Sequence, residues 1–250
     1  MRSWKPDEKS KLIQLYSDAS LTIAKMAAIL GRSKPAVHNM LCKLKAANRC
    51  KKVRIPAEIT PEEARIHAHI CGDGSLSISR RKRGKAQEFE FKIRYTNNDQ
   101  LLLDEFKQDV KMVYNRVATK SGVDIGFSSK RVLERLKGLG AGNSHSWCIA
   151  DDIFRGPIEV RKAWLRAFWD DEGTVRSDGL VASSVNYGGL TQVCSMMHSV
   201  GVRAHITGPY RDKESLKWHL RTNKVDVASF ATNVGFASSR KAGKLTEILS

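Results

Sequence analysis

The chain has 250 residues and a mass of 27.9 kDa, and its 43 Lys and Arg residues outnumber its 26 Asp and Glu residues, giving a formal net charge of +17. Its 41% hydrophobic content is enough to bury a core, which excludes a disordered basic tail. No apolar run reaches the ~18 residues of a membrane span, and no signal-peptide core follows the first residues, so we expect an intracellular protein, cytoplasmic or nucleoid-associated.

The charge and the cysteines narrow the class of partner. Lys and Arg neutralise phosphates and release condensed counterions, so an excess of this size indicates a nucleic acid rather than a membrane. A highly charged surface that serves only solubility is the alternative. The five cysteines form no C-x-x-C pair, which argues against a disulfide framework and against a cysteine-rich zinc site.

Helical periodicity marks three short segments between residues 3 and 45. The first begins near Pro6, the second ends at Gly31 as a C-cap, and the third begins at Ser33 as an N-cap. Three short helices in this order are typical of a helix-turn-helix unit, whose last helix enters the major groove. A small bundle that docks on protein is the alternative. The side chains predicted to face DNA are Arg32, Lys34, His38, Asn39 and Lys43.

The same stretch resembles the Myb-like and helix-turn-helix family. The resemblance rests on Ser3-Trp4, on the acidic pair Asp7-Glu8, and on the run I-A-K-M-A-A-I-L-G-R-S-K-P-A-V-H-N-M-L that follows. Residues 47–58 then carry several cations without an apolar stripe, which predicts a basic linker.

The rest of the chain repeats itself at an offset of 99 residues, because Asp73-Gly74 falls on Glu172-Gly173 and the small and apolar positions before them also match. Both segments carry helix-start signals. In the first, Pro61 follows an N-cap Thr60 and a Glu of Glu62-Glu63 completes a capping box; in the second, Pro157 is placed similarly. Small residues recur every four positions on both helices, so the two can pack closely. Asp73 and Glu172 would then meet at the helix ends and favour a hard divalent cation such as Mg²⁺.

The two segments resemble the motifs of the LAGLIDADG homing endonucleases. The first stands as I-H-A-H-I-C-G-D-G at residues 66–74 and the second as L-R-A-F-W-D-D-E-G at residues 165–173. The second is the closer match, because the first has His67, His69 and Cys71 where the family usually has small, apolar or acidic residues.

The resemblance implies an α+β fold in which two αββαββα repeats form a DNA-binding saddle, with a small all-α helix-turn-helix domain before it. The chain would be a monomer with an internal pseudo-two-fold axis that makes double-strand breaks in DNA. Asp73 and Glu172 would be catalytic and would bind Mg²⁺ or Mn²⁺ together with Gly72 and Asp171. The implied domains are 1–46 (helix-turn-helix), 47–58 (linker), 59–154 (first repeat) and 155–250 (second repeat).

The remaining pattern fits two such repeats. In the first copy we predict strands at 75–79 and 88–95, a helix at 101–113, a hairpin at 117–128 and a helix at 130–139. In the second we predict a hairpin at 174–184, a helix at 189–200, a hairpin at 203–222 and a helix at 225–234. The basic loop predicted to contact phosphate holds Arg80, Arg81, Lys82, Arg83 and Lys85. The strand residues predicted to face DNA are Lys92, Arg94, Arg176, Lys217, His219 and Arg221.

One departure from the family bears on activity. Many members carry a Gln or Lys at the end of the second strand of each repeat, where this chain has Thr96-Asn97 and, in our alignment, Val185-Asn186. The substitutes from neighbouring strands would be Lys92 or Lys130 in the first repeat and Lys217 or Lys224 in the second. Two alternatives to the nuclease therefore stay open, a DNA-binding regulator that no longer cuts and an intron RNA maturase.

Overall fold

The computed structural model describes residues 3–17, 21–44, 53–83, 86–212 and 215–250, and nothing is described of the side chains of residues 81–87 and 212. The chain divides into two units, Met1–Val53 and Arg54–Ser250. Within the described residues, no helix combines the length and the apolar content that a bilayer crossing requires.

The first unit is a bundle of three helices, α1 (Pro6–Ser17), α2 (Ile23–Leu30) and α3 (Lys34–Lys43). The predicted signals form at both ends of the turn between α2 and α3. Gly31 has a φ of 58°, which a glycine adopts without steric cost, and the Ser33 hydroxyl accepts a hydrogen bond from the Ala36 backbone N–H. The predicted three-helix pattern is therefore confirmed for the described residues, around a core of Leu12, Met26, Ala27, Val37 and Leu41.

The second unit contains two four-stranded antiparallel sheets, with strand orders β1-β2-β4-β3 and β5-β6-β8-β7. Its first half consists of α4 (Pro61–Cys71), β1 (Gly74–Arg83), β2 (Ala86–Thr96), α5 (Gln100–Tyr114), β3 (Thr119–Ser121), β4 (Asp124–Ser128) and α6 (Lys130–Gly138). After a short helix α7 (Asp151–Phe154), its second half consists of α8 (Ile158–Glu172), β5 (Gly173–Arg176), β6 (Gly179–Ser184), α9 (Tyr187–Ser199), β7 (His205–Asp212), β8 (Ser215–Asn223) and α10 (Val227–Asn233). A last helix, α11 (Ser239–Leu249), follows. The expected α+β fold, with an αββαββα order in each half, is confirmed.

Some boundaries differ from the expectation. Residues 80–83 belong to β1 instead of a loop, because that strand pairs with β2 along its whole length, ending with Arg83 opposite Ala86. Helix α11 was not predicted at all. Half of the predicted linker, residues 47–52, lies outside the described residues, and Arg54 belongs to the second unit. Its backbone N–H donates to the Tyr114 carbonyl and its guanidinium to the Val113 carbonyl, so it caps the end of α5.

The two motif helices α4 and α8 pack against each other through their small residues, as predicted. Ala64, Ala68 and Ala167 are all buried along this contact. The Trp164 indole N–H also donates to Nδ1 of His67, at 2.9 Å, so the contact includes a buried hydrogen bond. Close packing of α4 on α8 is what places the ends of the two helices side by side.

The start of α4 follows the sequence signal only in part. The Thr60 hydroxyl caps the Glu63 backbone N–H, as expected. The Glu63 carboxylate, however, does not complete a capping box. It is fully buried, accepts from the Tyr114 hydroxyl at 2.9 Å and pairs with the Arg135 guanidinium at 2.9 Å. Glu63 therefore ties α5 and α6 to the motif helix.

Candidate functional site

Each motif helix turns directly into a strand at a glycine. A Cβ on Gly74 would lie 2.5 Å from Cα of Ile70, and one on Gly173 would lie 2.4 Å from the Trp169 carbonyl oxygen. Only a glycine fits where the strand folds back on the helix this closely. The acid that precedes each glycine, Asp73 or Glu172, therefore stands at the junction of helix and sheet, which explains the acid–glycine pairs in the sequence.

The two junctions lie close enough for their charges to interact. Burial and the charge of Asp171 raise the pKa of Asp73 to about 6, although Lys241 and His69 oppose the shift. Burial and the charges of Asp73 and Asp171 raise the pKa of Glu172 to about 7. The site thus holds carboxylates that disfavour one another's ionised form, and a divalent cation would relieve that repulsion.

The third acid, Asp171, is hydrogen-bonded to side chains of the first half. Its side chain is fully buried, and its carboxylate accepts hydrogen bonds from the Tyr95 hydroxyl at 2.7 Å, from His69 Nδ1 at 2.9 Å and from the Asn97 amide at 3.2 Å. Burial lowers the pKa of His69, but the charge and hydrogen bond of Asp171, together with the charges of Glu105 and Asp170, raise it overall. The three bonds to Asp171 occupy both carboxylate oxygens, so in the predicted ligand set Asp171 and Gly72 would contribute backbone carbonyls.

Asn97 lies beside the first acid. Its amide nitrogen lies 3.5 Å from Oδ2 of Asp73 and donates to the Tyr95 hydroxyl oxygen at 3.0 Å. Its carbonyl oxygen accepts from the Asp99 backbone N–H at 2.9 Å, which fixes the orientation of the amide. The sequence analysis had singled out this strand end only because it lacks a lysine.

The counterpart of Asn97 in the second half is Ser184, not Asn186. Gly74 pairs with Tyr95, and Gly173 pairs with Ala182, so two residues beyond each partner the equivalent positions are Asn97 and Ser184. Asn186 instead caps α9 by accepting from the Gly189 backbone N–H at 2.9 Å. Our alignment was wrong here because the second hairpin is shorter and the offset between the copies changes within it.

A lysine that the sequence analysis missed lies behind the second motif. Lys241 of α11 is 7% exposed, and its ammonium donates to the carbonyls of Trp169 at 3.1 Å, of Asp170 and, at 3.4 Å, of Asp171. Burial lowers the pKa of Lys241. A cation among the last carbonyls of a helix offsets the negative end of its dipole. No sequence pattern marks it, because its partners are backbone atoms of another helix.

The four lysines predicted as substitutes fall in different places. Lys217 lies near enough to Glu172 for its charge to lower the pKa of that acid. Lys92 lies 3.4 Å from the Glu90 carboxylate and Lys130 lies 3.7 Å from the Glu134 carboxylate. Lys224 is exposed in a short 3-10 turn, Lys224–Asp226.

The strand cations lie together on the solvent face of each sheet. Lys92 and Arg94 alternate with the buried Ile93 and Tyr95 in β2. In β8 the three predicted residues alternate in the same way with the buried Leu220 and Thr222, and these three are Lys217, His219 and Arg221. Arg176 pairs with Gly179 at the end of the adjoining hairpin. The strand residues predicted to contact DNA thus share one face of each sheet.

Two other predicted DNA contacts, Arg32 and Arg80, have partners within their own unit. Arg32 lies in the turn before α3 instead of on it; its side chain is 7% exposed, pairs with Glu8 at 2.7 Å and stacks on Trp4. Arg80 lies opposite Phe89 on the other face of the sheet from Lys92, with its guanidinium over the Phe89 ring. Both arginines are held by neighbours within their own unit.

The remaining predicted contacts are exposed or undescribed. Lys34, His38, Asn39 and Lys43 are all exposed on α3. Only the backbone is described for Arg81, Lys82 and Arg83, in β1, and Lys85 lies outside the described residues.

Comparison with known proteins supports the architecture. No family model matches the sequence. A replication factor C small subunit from Methanocaldococcus jannaschii is 24% identical over 179 residues, which are 66% of this chain but 9% of that protein. The chain therefore corresponds to a small part of that relative.

Solved structures match at low sequence identity. The homing endonuclease I-DmoI, in complex with DNA and Mn, superposes with a TM-score of 0.54 at 16% identity, over 70% of this chain and 96% of that one. WhiA from Thermotoga maritima superposes with a TM-score of 0.50 at 13% identity, over 76% of this chain and 60% of that one. The chain has the fold of the LAGLIDADG endonucleases.

Proposed function

We propose that the chain is a sequence-specific homing endonuclease that makes divalent-metal-dependent double-strand breaks in DNA inside the cell. The observation that carries the proposal is the meeting of Asp73 and Glu172 at the ends of two packed helices, where the charge of Asp73 helps to raise the pKa of Glu172. Each acid begins a sheet whose solvent face presents cations. Acids at the centre and cations along the flanks suit a phosphodiester backbone.

The donor set fits a metal that the DNA helps to hold. Within the described ranges, no three His, Cys, Asp or Glu side chains form a group that could bind a metal by themselves. Mg²⁺ is usually bound by one or two carboxylates together with substrate phosphates and waters, and Mn²⁺ accepts the same hard oxygen ligands. When bound, such a cation supplies Lewis acidity to the oxygens of an in-line displacement. Asp73 and Glu172 would hold it, and Lys217 would offset negative charge on the phosphate.

The two units would divide recognition of double-stranded DNA. The sheet residues Lys92, Arg94, Arg176, Lys217, His219 and Arg221 would contact the site to be cut, with the two repeats of one monomer covering its two halves. In the first unit, exposed α3 residues would bind DNA outside that site. Arg32 would instead stabilise the bundle that presents them.

The direct test is a cleavage selection on a genomic DNA library in Mg²⁺, comparing the wild type with Asp73→Asn and Glu172→Gln. Double-strand ends made by the wild type and lost in both variants support the proposal. Glu247→Gln, which removes an exposed acid of α11, is the matched control and should cut normally. Failure of the wild type to cut any enriched site in Mg²⁺ or Mn²⁺ contradicts the proposal.

A regulator that binds DNA without cutting is the second candidate. It is favoured by the strand ends, because neither Asn97 nor its counterpart Ser184 is a lysine. This candidate predicts tight duplex binding that does not change when Asp73 and Glu172 are neutralised.

A further inference from the structure

Asp171 and Gly72 are complementary across the contact between the two motif helices. A Cβ on Gly72 would lie 2.9 Å from Cβ of Asp171 and 3.0 Å from its carboxylate oxygen Oδ2. Gly72 stands one repeat length before Asp171, so the two occupy the same motif position. Because Gly72 of the first motif has no side chain, the Asp171 side chain of the second motif can occupy the space beside it.

The carboxylate of Asp171 is bound entirely by the first half of the unit. Its three donors are His69 from α4, Tyr95 from β2 and Asn97 from the end of β2. The bonds satisfy both carboxylate oxygens, with His69 on one and the other two donors on the second. A buried, ionised acid is stable only when it is bonded in this way. Asp171 of the second motif is thus hydrogen-bonded to the residues that surround Asp73 of the first.

The bonds converge on one amide. Asn97 donates to Asp171 and Tyr95 and lies 3.5 Å from Asp73. Its other end is held by the Asp99 backbone N–H. Without Asp171 the amide would lose the acceptor that fixes its distance from Asp73. Near Glu172, the equivalent residue Ser184 accepts from the Asn186 backbone N–H at 3.1 Å.

We propose that Asp171 is a positioning residue that acts through Asn97 to set the Asp73 half of the metal site, and that it has no such positioning role for the Glu172 half. The inference deepens the proposed function, on which it rests for the identity of the bound cation. Supporting groups behind a metal ligand typically change affinity by about 10- to 100-fold when they are removed. The effect should fall on one acid only.

The first experiment separates the two halves. Mn²⁺ alone is titrated into Glu172→Gln, which keeps Asp73, and into Asp73→Asn, which keeps Glu172, each with and without Asp171→Asn, and free Mn²⁺ is followed by electron paramagnetic resonance. Asp171→Asn keeps the shape of the side chain, but it replaces one acceptor oxygen with an NH₂ group that faces the existing hydrogen-bond donors. We expect ~10-fold weaker binding in the Glu172→Gln background. In the Asp73→Asn background we expect no weakening, because the variant only removes a charge that raises the pKa of Glu172. Equal weakening in both backgrounds, or none in either, overturns the proposal.

The second experiment needs neither metal nor activity. The side-chain amide of Asn97 is assigned in a ¹⁵N-labelled protein by its loss in Asn97→Ser, and its exchange with water is measured. We expect ~10-fold faster exchange in Asp171→Asn, because a bonded amide that loses its acceptor opens more often. Glu105→Gln is the control, since it removes a carboxylate that binds Arg166 on α8 and makes no bond to Asn97. Unchanged exchange in Asp171→Asn overturns the proposal.

These outcomes separate a failure of the proposed function from a failure of the positioning role of Asp171. If the wild type neither binds Mn²⁺ nor cuts DNA in the cleavage selection, the proposed function fails and the Asn97 exchange still decides the role of Asp171. If Asp171→Asn does not fold, Tyr95→Phe replaces it, because it removes one donor from the same carboxylate and keeps the ring. It should produce the same one-sided effect, at about 3-fold, which is less than the loss of the acceptor itself. An even effect of Tyr95→Phe on both acids counts against the proposal.

Discussion

The two halves of the second unit share one backbone plan and surround their acids with different chemistry. Asp73 lies beside neutral donors, with Asn97 next to it and Tyr95 behind that amide. Glu172 has Lys217 from a strand near it, whereas the charge of Lys241 from α11 lowers the pKa of both acids. A repeated fold therefore does not require repeated side chains. It requires only that each half stabilise an acid at the junction of helix and sheet.

The difference follows from what each half can reach. The first hairpin has strands of 10 and 11 residues, and the second has strands of 4 and 6. The longer β2 brings a large ring, Tyr95, to the position where the shorter β6 brings Ala182. The second half compensates with α11, which was absent from the expected repeat. The variants below either remove one of these solutions or make the two halves more alike.

The largest effect should come from Lys241→Met, which removes the buried ammonium at the end of α8 in the second half. The change leaves three carbonyls at the end of α8 without their buried cation and should cost about 3 kcal/mol of unfolding free energy. Urea denaturation gives the value. Lys244→Met, on an exposed position of the same helix, should change stability by less than about 0.5 kcal/mol. Equal losses in the two variants would show that α11 acts only through its apolar packing.

Gly72→Ala should come next, at about 2 kcal/mol, because its methyl group would overlap the Asp171 side chain. Combining it with Asp171→Ala removes the overlap and makes the two motifs alike at this position. The double variant should therefore be more stable than the sum of the single effects by about 1 kcal/mol, measured as a double-mutant cycle in urea. Simple additivity would mean that the two positions do not compete for the same space.

The sequence predicted the parts of this arrangement that depend on neighbours along the chain. Helix caps at Gly31, Ser33 and Thr60 are local signals, and each formed as expected. The acid–glycine pairs were visible for the same reason, because a glycine is needed wherever a strand folds back on a helix. These local signals, taken with the 99-residue offset, were enough to predict both repeats and their motif helices.

The sequence could not predict which side chains would be used up by tertiary contacts. Arg32 and Arg80 have the composition of DNA-contacting residues, but an acid or an aromatic ring from elsewhere in the chain holds each of them. Asp171 belongs to the predicted ligand set, but its carboxylate is hydrogen-bonded by three side chains of the first half. Lys241 binds backbone carbonyls, which have no sequence signature. Such assignments depend on contacts between residues far apart in the chain.

Between about pH 6 and pH 7, where Asp73 is ionised and Glu172 still holds its proton, raising the pH should strengthen metal binding by about 10-fold per unit, and by less above pH 7. The sign follows from the raised pKa of Asp73 and Glu172. The folded, metal-free protein binds more protons than the unfolded chain between about pH 4 and pH 7, so its stability falls as the pH rises across this range. Added Mg²⁺ should therefore raise the melting temperature at pH 8 and change it little at pH 5.5. A shift that is equal at both pH values would place the metal elsewhere.

The smallest effects should come from removing a single lysine from one sheet or the other. The affinity for duplex DNA falls with salt, and the plot of log affinity against log salt has a negative slope. Lys92→Gln and Lys217→Gln should each make this slope less steep by about 0.9, if each lysine contacts one phosphate. Only Lys217→Gln should also weaken Mn²⁺ binding at pH 7, by less than about 3-fold, because the charge of Lys217 lowers the pKa of Glu172. Lys92 lies beside Glu90 and should leave metal binding unchanged. If both variants weakened metal binding equally, the two halves would use their cations alike, and the contrast between a hydrogen-bonded acid and a charge-stabilised acid would fail.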